Sequence, residues 1–167
     1  VLAFVEDVAA SGGYWLACAA DEIFASKASI IGSIGVVSSG FGFDKAIKKI
    51  GVDRRLYTSG ENKAILDPFL PENKDDIKRL KDIQKELHNQ FISFVKSRRG
   101  SKITNKNKDL FTGAFWSGEK SLELGLIDDY GEMKSVLKQR FGENVKIKEF
   151  APKKKLFGFS NLFSGAI

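Results

Sequence analysis

Two residues with the potential for nucleophilic chemistry stand out in this sequence of 167 residues. Ser11 lies in the run AASGGY, where a serine followed by two glycines predicts a tight turn from a strand into a helix. Lys63 follows 52 positions later, among small and polar residues. A serine hydroxyl is a poor nucleophile until a base removes its proton, and a neutral amine can be that base. The pair therefore predicts a serine hydrolase with a lysine general base.

The sequence offers only one histidine for a histidine-based triad. The single histidine, His88, lies next to the apolar residue Leu87 in a segment whose charges and spacing predict a long helix. This position predicts a partly exposed, non-catalytic side chain. A Ser-His-Asp protease is therefore the weaker hypothesis.

The lysine can act as a base only if its surroundings lower its pKa. The ordinary pKa of lysine is about 10.4, and lowering it to near 7 requires about 4 kcal/mol acting against the charged form. Glu61 and Asp67 flank Lys63 and would favour that charged form. We therefore expect their carboxylates to point away from the amine or to be screened.

Acyl transfer also needs donors for the developing oxyanion. If a helix begins after Ser11, the backbone N–H of Gly12 and the positive end of the helix lie beside the nucleophile. Ser33, in a bend between Gly32 and Gly35, is a candidate hydroxyl for orienting the lysine amine. A Ser-Gly-Gly turn and a solvent-facing lysine also occur without catalysis, so the residues alone leave a non-catalytic interpretation open.

The composition excludes several other classes of function. The net charge is +6, but basic residues alternate with acidic ones, especially over residues 72–99, which is typical of a solvated helix face rather than a nucleic-acid footprint. The lone Cys18 cannot form a disulfide within the chain and is predicted to be a buried thiol. The sequence has no metal-ligand spacing, no phosphate loop, and no apolar run of the roughly 18 to 20 residues that a membrane-spanning helix needs.

Predicted strands and helices alternate along the chain. The hydrophobic patterns predict strands over residues 1–8, 22–25, 30–37, 54–58 and 145–150. They predict helices over residues 13–20, 43–50, 72–99, 117–124 and 132–141, the fourth capped by Ser117 and ended by Gly125. This alternation indicates an α/β architecture with mostly parallel pairing.

Four pieces of the sequence, taken together, resemble the signal peptide peptidase A family, the membrane-associated Ser-Lys peptidases of the SppA and SohB type. They are residues 10–14 (ASGGY), 31–36 (IGSIGV), 59–69 (SGENKAILDPF) and 117–128. Their order and the gap from serine to lysine match the single-domain members. The resemblance covers about residues 1–150.

The resemblance implies roles for the residues that match these motifs. Ser11 would be the nucleophile, Lys63 the general base, Ser33 the residue that hydrogen-bonds the lysine, and the Gly12 N–H an oxyanion donor. No metal or organic cofactor is implied. The implied fold is α/β, a Clp-protease/crotonase-like ββα superhelix with a projecting helical arm.

The resemblance also implies partners and a location. Members assemble into rings or domes, homo-oligomers in which serine and lysine can come from neighbouring subunits. They cleave hydrophobic peptides, including remnant signal peptides, at the extracytoplasmic (periplasmic) face of the bacterial inner membrane. No nucleic-acid partner is implied.

The predicted domain organisation has two parts. Residues 1–151 would form the C-terminal part of a Ser-Lys peptidase domain, without the upstream part that carries a second oxyanion donor and an anchor. Residues 152–167 would form a basic, phenylalanine-rich tail, in which Lys153 to Lys155 precede an aromatic segment. Such a tail either contacts an anionic membrane surface or is a disordered, solubilising end.

Two alternatives keep the fold and change the function. One is a crotonase-like acyl-CoA enzyme, which would need acid/base carboxylates near the turn and a pocket for adenine. The other is a non-catalytic, membrane-associated scaffold.

Overall fold

The computed structural model describes residues 1–60, 62–104 and 107–150. The strands in this part of the chain are β1 (Leu2–Val5), β2 (Val8–Ala10), β3 (Glu22–Ala25), β4 (Ile30–Gly32), β5 (Phe115–Ser117) and β6 (Asp129–Tyr130). The helices are α1 (Gly12–Ala17), α2 (Asp44–Lys49), α3 (Lys74–Arg99), α4 (Gly118–Glu123) and α5 (Met133–Phe141). The predicted tail, residues 152–167, lies outside the described residues.

The strands form two small sheets with mostly parallel pairing, as predicted. One sheet has the order β1-β3-β6 and is entirely parallel, whereas the other has the order β2-β4-β5, with β5 antiparallel to β4. The mixed α/β class is confirmed. The superhelix and the projecting arm stay predictions.

The single strand predicted over residues 1–8 is in fact two strands in different sheets. Glu6 and Asp7 are exposed and separate β1 from β2. The buried Ser29 hydroxyl lies 3.0 Å from the carbonyl of Val5 and 2.8 Å from that of Glu6, so a side chain bonds to the backbone at the break. Within the described residues β1 lies at the end of its sheet, not at the centre.

The core joins α1 to the C-terminal part of α3. Tyr14 and Cys18 are fully buried, which confirms the prediction of a buried thiol. Trp15 stacks on Phe91 with ring centroids 4.5 Å apart, and Val95 is fully buried one turn further along α3. Burial of such large apolar side chains contributes roughly 1.5 to 3 kcal/mol each, so this contact fixes α1, which begins directly after Ser11.

Helix α3 begins at Lys74 rather than at residue 72 because the Asn73 side chain accepts a hydrogen bond from the Asp75 N–H at 2.8 Å, which caps its first turn. Its buried residues all lie in its last third. The apolar stripe continues towards its N-terminus, where Ile83 and Leu87 are exposed.

Two predicted strands are wrong. Residues 54–58 and 145–150 have no regular secondary structure, although their apolar residues alternate or are β-branched. A strand needs a hydrogen-bonded neighbour, and none pairs with them in the described ranges. In the first segment the Arg54 guanidinium donates to the Arg55 carbonyl at 3.2 Å, so a side chain occupies a backbone acceptor.

None of the described helices is long and apolar enough to cross a membrane. In the same part of the chain, no three His, Cys, Asp or Glu side chains are grouped so that they could hold a metal ion.

Gly125, predicted to end α4, provides a stability test. Its φ is +77°, and a Cβ atom there would lie 1.9 Å from the Lys102 carbonyl oxygen. We expect Gly125→Ala to lower the free energy of unfolding by about 2 to 4 kcal/mol, from the left-handed backbone and the steric clash together. Gly113, with a φ of +91° and no atom within 4 Å of the position its Cβ would take, isolates the backbone contribution. Urea unfolding that gives equal losses for Gly125→Ala and Gly113→Ala would show that the clash has no cost.

Candidate active site

Ser11 occupies a strained turn between β2 and α1. Its φ of 53° and ψ of −122° are unusual for a residue with a side chain, and it is exposed. Its N–H donates to the Gly32 carbonyl at 2.8 Å, and its own carbonyl accepts from the N–H groups of Tyr14 and Trp15, both at 3.0 Å. Strained conformations persist only where surrounding contacts impose them, and they cluster at functional sites.

The parallel pairing of β2 with β4 places Ser33 at the strand end next to Ser11. Ala10 pairs with Gly32, and each serine is the next residue of its own strand. Ser33 also has a positive φ, 52°, and its N–H donates to the Ala114 carbonyl at 2.7 Å. The structure thus brings together two of the serines that the sequence singled out.

The two glycines around Ser33 allow close packing. A Cβ atom on Gly32 would lie 2.9 Å from the Trp116 ring, and one on Gly35 would lie 3.0 Å from the Cα of Gly113. The bend that carries Ser33 therefore fits tightly against β5 and the residues before it.

Gly12 and its neighbour Gly13 have a different environment. A Cβ atom on either would meet nothing within 4 Å, so the space beside Ser11 is open. Their N–H groups begin α1, where no carbonyl of the helix itself can accept them. This geometry leaves the Gly12 N–H available beside the nucleophile, and its role as oxyanion donor stays a prediction.

Lys63 lies on the long connection between α2 and α3. Its side chain is exposed, and its N–H lies 3.3 Å from the Gly60 carbonyl. In the part of the chain that the structure describes, no hydrogen bond joins its amine to Ser11 or Ser33. Leu66, three residues further on, has a φ of 58°. The structure therefore groups Ser11, Gly12 and Ser33, and Lys63 belongs to a separate loop.

Asp67 is neutralised by a partner other than Lys63. Its side chain is 8% exposed, and Arg54 donates to it from Nε at 3.1 Å and from Nη2 at 2.9 Å. The Phe69 N–H also donates to it at 2.9 Å. The hydrogen bond from Phe69 and the Arg54 guanidinium hold the pKa of Asp67 below its usual value. The expected screening is thus present for Asp67, whereas Glu61 lies outside the described residues.

A buried ion pair that the sequence did not predict joins α3 to the loop after α4. Arg99 is 2% exposed, and its Nη1 lies 2.6 Å from Asp128 Oδ2. Its Nε and Nη2 donate to the Gly125 carbonyl at 3.1 and 2.9 Å. Asp128 also accepts the Ile23 N–H at 2.8 Å. One feature of the sequence indicates that Arg99 is buried. Arg99 follows Phe91 and Val95 at intervals of four residues, so all three lie on the same face of α3.

This ion pair connects to the turn that carries Ser11. The Tyr14 hydroxyl, three residues after Ser11, donates to the Leu126 carbonyl at 2.8 Å in the same loop as Gly125 and Asp128. Burial raises the pKa of Tyr14 well above its usual value, and the protonated phenol is the donor in this hydrogen bond.

Comparison with known proteins finds a matching family and several relatives of this chain. The model of Peptidase family S49 matches residues 1–148. The chain is 35% identical over 91% of its length to "Probable protease SohB" of Buchnera aphidicola subsp. Acyrthosiphon pisum, of which the alignment covers 45%. It is 31% identical over 79% of its length to "Putative signal peptide peptidase SppA" of Enterococcus faecium, of which 38% is covered.

A higher identity is found with a protein of different name. The chain is 55% identical, over 95% of its length, to "Na(+)/H(+) antiporter NhaA" of Brucella abortus, and the alignment covers 21% of that protein. The aligned residues overlap most of the segment that the family model matches. This chain thus spans less than half the length of each of these three relatives. The match over residues 1–148 shows that the chain belongs to Peptidase family S49.

Proposed function

We propose that the full-length protein is a serine endopeptidase that cleaves hydrophobic peptides, such as remnant signal peptides, with Ser11 as nucleophile and Lys63 as general base. The observation that carries this proposal is the strained, exposed turn at Ser11, with open space beside Gly12, in a chain of a peptidase family. The names of the SohB and SppA relatives support the same class of reaction.

The proposed reaction follows from the chemistry of these groups. The Ser11 Oγ attacks the scissile carbonyl carbon while the neutral Lys63 amine takes the hydroxyl proton. The Gly12 N–H donates to the oxyanion that forms. The Lys63 ammonium then protonates the departing amine, and the C–N bond breaks to leave an acyl-enzyme. Water, deprotonated by Lys63, hydrolyses that ester and restores Ser11.

We also propose that Lys63 reaches Ser11 across an interface between two copies of the chain. Lys63 is exposed and belongs to a loop distinct from the serine turn. The same region exposes large apolar side chains, among them Val37, Phe41, Ile50 and Tyr57. Large apolar side chains exposed in this number fit an interface that covers them. A homo-oligomer with shared sites would cover this surface and bury the lysine at the interface.

The proposed location is the extracytoplasmic face of a bacterial inner membrane, with remnant signal peptides as proposed substrates. The name of the Enterococcus relative, a putative signal peptide peptidase, supports this substrate class. Contact of the tail with the membrane surface belongs to the same proposal.

A second candidate is a non-catalytic scaffold attached to a transporter. The observation that favours it is the 55% identity to a fifth of an antiporter-named chain. A scaffold needs no activated serine, whereas a peptidase does. The two candidates therefore differ in one measurable property.

We expect a fluorophosphonate probe to label the wild-type full-length protein covalently, with the modification mapping to Ser11 by peptide mass spectrometry. The probe reacts only with an activated serine. Any variant that loses labelling should also lose cleavage of an apolar peptide substrate. An intact, assembled protein that is neither labelled nor active would favour the scaffold, and binding of acyl-CoA by that protein would favour the crotonase-like alternative.

A further inference from the structure

We propose that His88 is a positioning residue of the candidate site, which holds the bend that carries Ser33 by donating a hydrogen bond to the Ile34 carbonyl. Its catalytic consequence depends on the proposed peptidase function. The contact itself does not, and the two can be tested separately.

The geometry of the contact requires a proton on one nitrogen of the ring. His88 Nε2 lies 3.0 Å from the Ile34 carbonyl oxygen, and the side chain is half-buried. A carbonyl only accepts hydrogen bonds, so Nε2 must carry the proton. The neutral Nε2–H tautomer and the imidazolium both meet this requirement.

The bend needs contacts of this kind because its backbone is strained. Ser33 has a φ of 52°, which is unfavourable for a residue with a side chain. Its N–H is held by the Ala114 carbonyl at 2.7 Å, and its carbonyl accepts the Gly35 N–H at 2.9 Å. His88 adds a contact from a third element, α3, to the next residue of the same bend.

Helix α3 is a rigid support at this point. His88 lies three residues before Phe91, which is 1% exposed and stacks on Trp15 of α1. The same helix thus contacts α1, which begins next to Ser11, and the bend that carries Ser33. Through these two contacts α3 fixes the relative position of the two serines.

Loss of the contact should impair catalysis more than substrate binding. Small displacements of a group that orients a base reduce rates by up to about 100-fold. We expect His88→Ala to lower kcat about 10-fold with little change in KM. His88→Gln, whose Nε2 can donate from a similar position, should stay within about threefold of wild type. Gln90→Ala is the matched control, because Gln90 is exposed on the same helix and bonds to Glu86.

A double-mutant cycle separates positioning from general stability. If His88 acts through Ser33, then His88→Ala should have little further effect on kcat in a Ser33→Ala background. If the reductions in kcat from His88→Ala and Ser33→Ala multiply in the double variant, or if His88→Gln does not restore kcat, the proposal is overturned.

Hydrogen exchange provides a readout that needs no activity. We expect the backbone amides of residues 33–36 to exchange at least about tenfold faster in His88→Ala than in wild type, and at the wild-type rate in His88→Gln and Gln90→Ala. Unchanged exchange in His88→Ala would overturn the proposal even if the protein is a peptidase. If residues 33–36 exchange faster in His88→Ala but the fluorophosphonate probe does not label the wild-type protein, the contact is supported and only the peptidase function is rejected.

Discussion

Alanine at Ser11 is expected to abolish both fluorophosphonate labelling and peptide cleavage in the full-length protein. Removing a nucleophile leaves only the residual acceleration from binding and oxyanion contacts, so we expect kcat to fall at least about 1,000-fold. Ser38→Ala is the matched control, because Ser38 is also exposed and lies outside the turn.

Replacement of Lys63 should have an effect of the same order, because nucleophile and base act as a unit. Lys63→Arg should fail as well, since a guanidinium stays protonated and cannot accept the serine proton. Lys49→Ala, at another exposed lysine, should leave cleavage unchanged. Cleavage within about tenfold of wild type in Ser11→Ala or Lys63→Ala would reject the Ser-Lys assignment.

Mixing these two inactive variants tests the shared site. If Ser11 and Lys63 come from neighbouring subunits, then co-assembled Ser11→Ala and Lys63→Ala chains form some sites with both groups intact. Labelling should return on the chain that retains Ser11. Fully inactive mixed oligomers would indicate that each subunit builds its own site.

The largest expected effect on stability comes from Asp128. In Asp128→Asn, the buried Arg99 guanidinium loses its charge partner, and we expect the free energy of unfolding to fall by about 3 to 5 kcal/mol. Asp129→Asn, at the exposed neighbouring residue, should change it little. Urea unfolding measures both. The double variant Asp128→Asn with Arg99→Met should recover much of the loss, because it removes the unpaired charge.

The stabilisation from Asp128 should depend on pH with a definite sign. Burial raises the pKa of this carboxyl, but hydrogen bonds from Arg99, Lys102 and the Ile23 N–H outweigh burial and lower it below its usual value. The stabilisation is therefore present above the unfolded pKa of about 3.9 and is lost as the pH falls through the folded pKa. The difference between wild type and Asp128→Asn should shrink in this acidic range. A difference that stays constant there would show that the ionised carboxylate is not the source of the stability.

The sequence by itself determined the features that depend on neighbouring residues. The turn at Ser11, the long helix α3, the cap at Ser117 and the stop at Gly125 were all predicted, and the structure has each of them. Helix caps and amphipathic spacing act within one or two turns, so local sequence contains the information. The motifs also identified the family, which the match over residues 1–148 confirms.

Strands were predicted less well because a strand is defined by its partner. Residues 54–58 and 145–150 have suitable side chains but no neighbouring strand among the described residues. The strand predicted over residues 1–8 is divided between two sheets for a related reason, since Ser29 bonds to the backbone at Glu6 from a distant part of the chain.

Only the tertiary structure decided how the candidate site is held. The register of β2 with β4 places Ser33 beside Ser11, and the ends of α3 and β3 meet around the Arg99–Asp128 pair. His88 acquires a specific partner, the Ile34 carbonyl, which is 54 positions away in sequence. These contacts join residues that are far apart in the chain, and their geometry depends on the packing of whole elements. Residue types and spacing therefore indicate the chemistry, whereas the fold determines which distant groups constrain it.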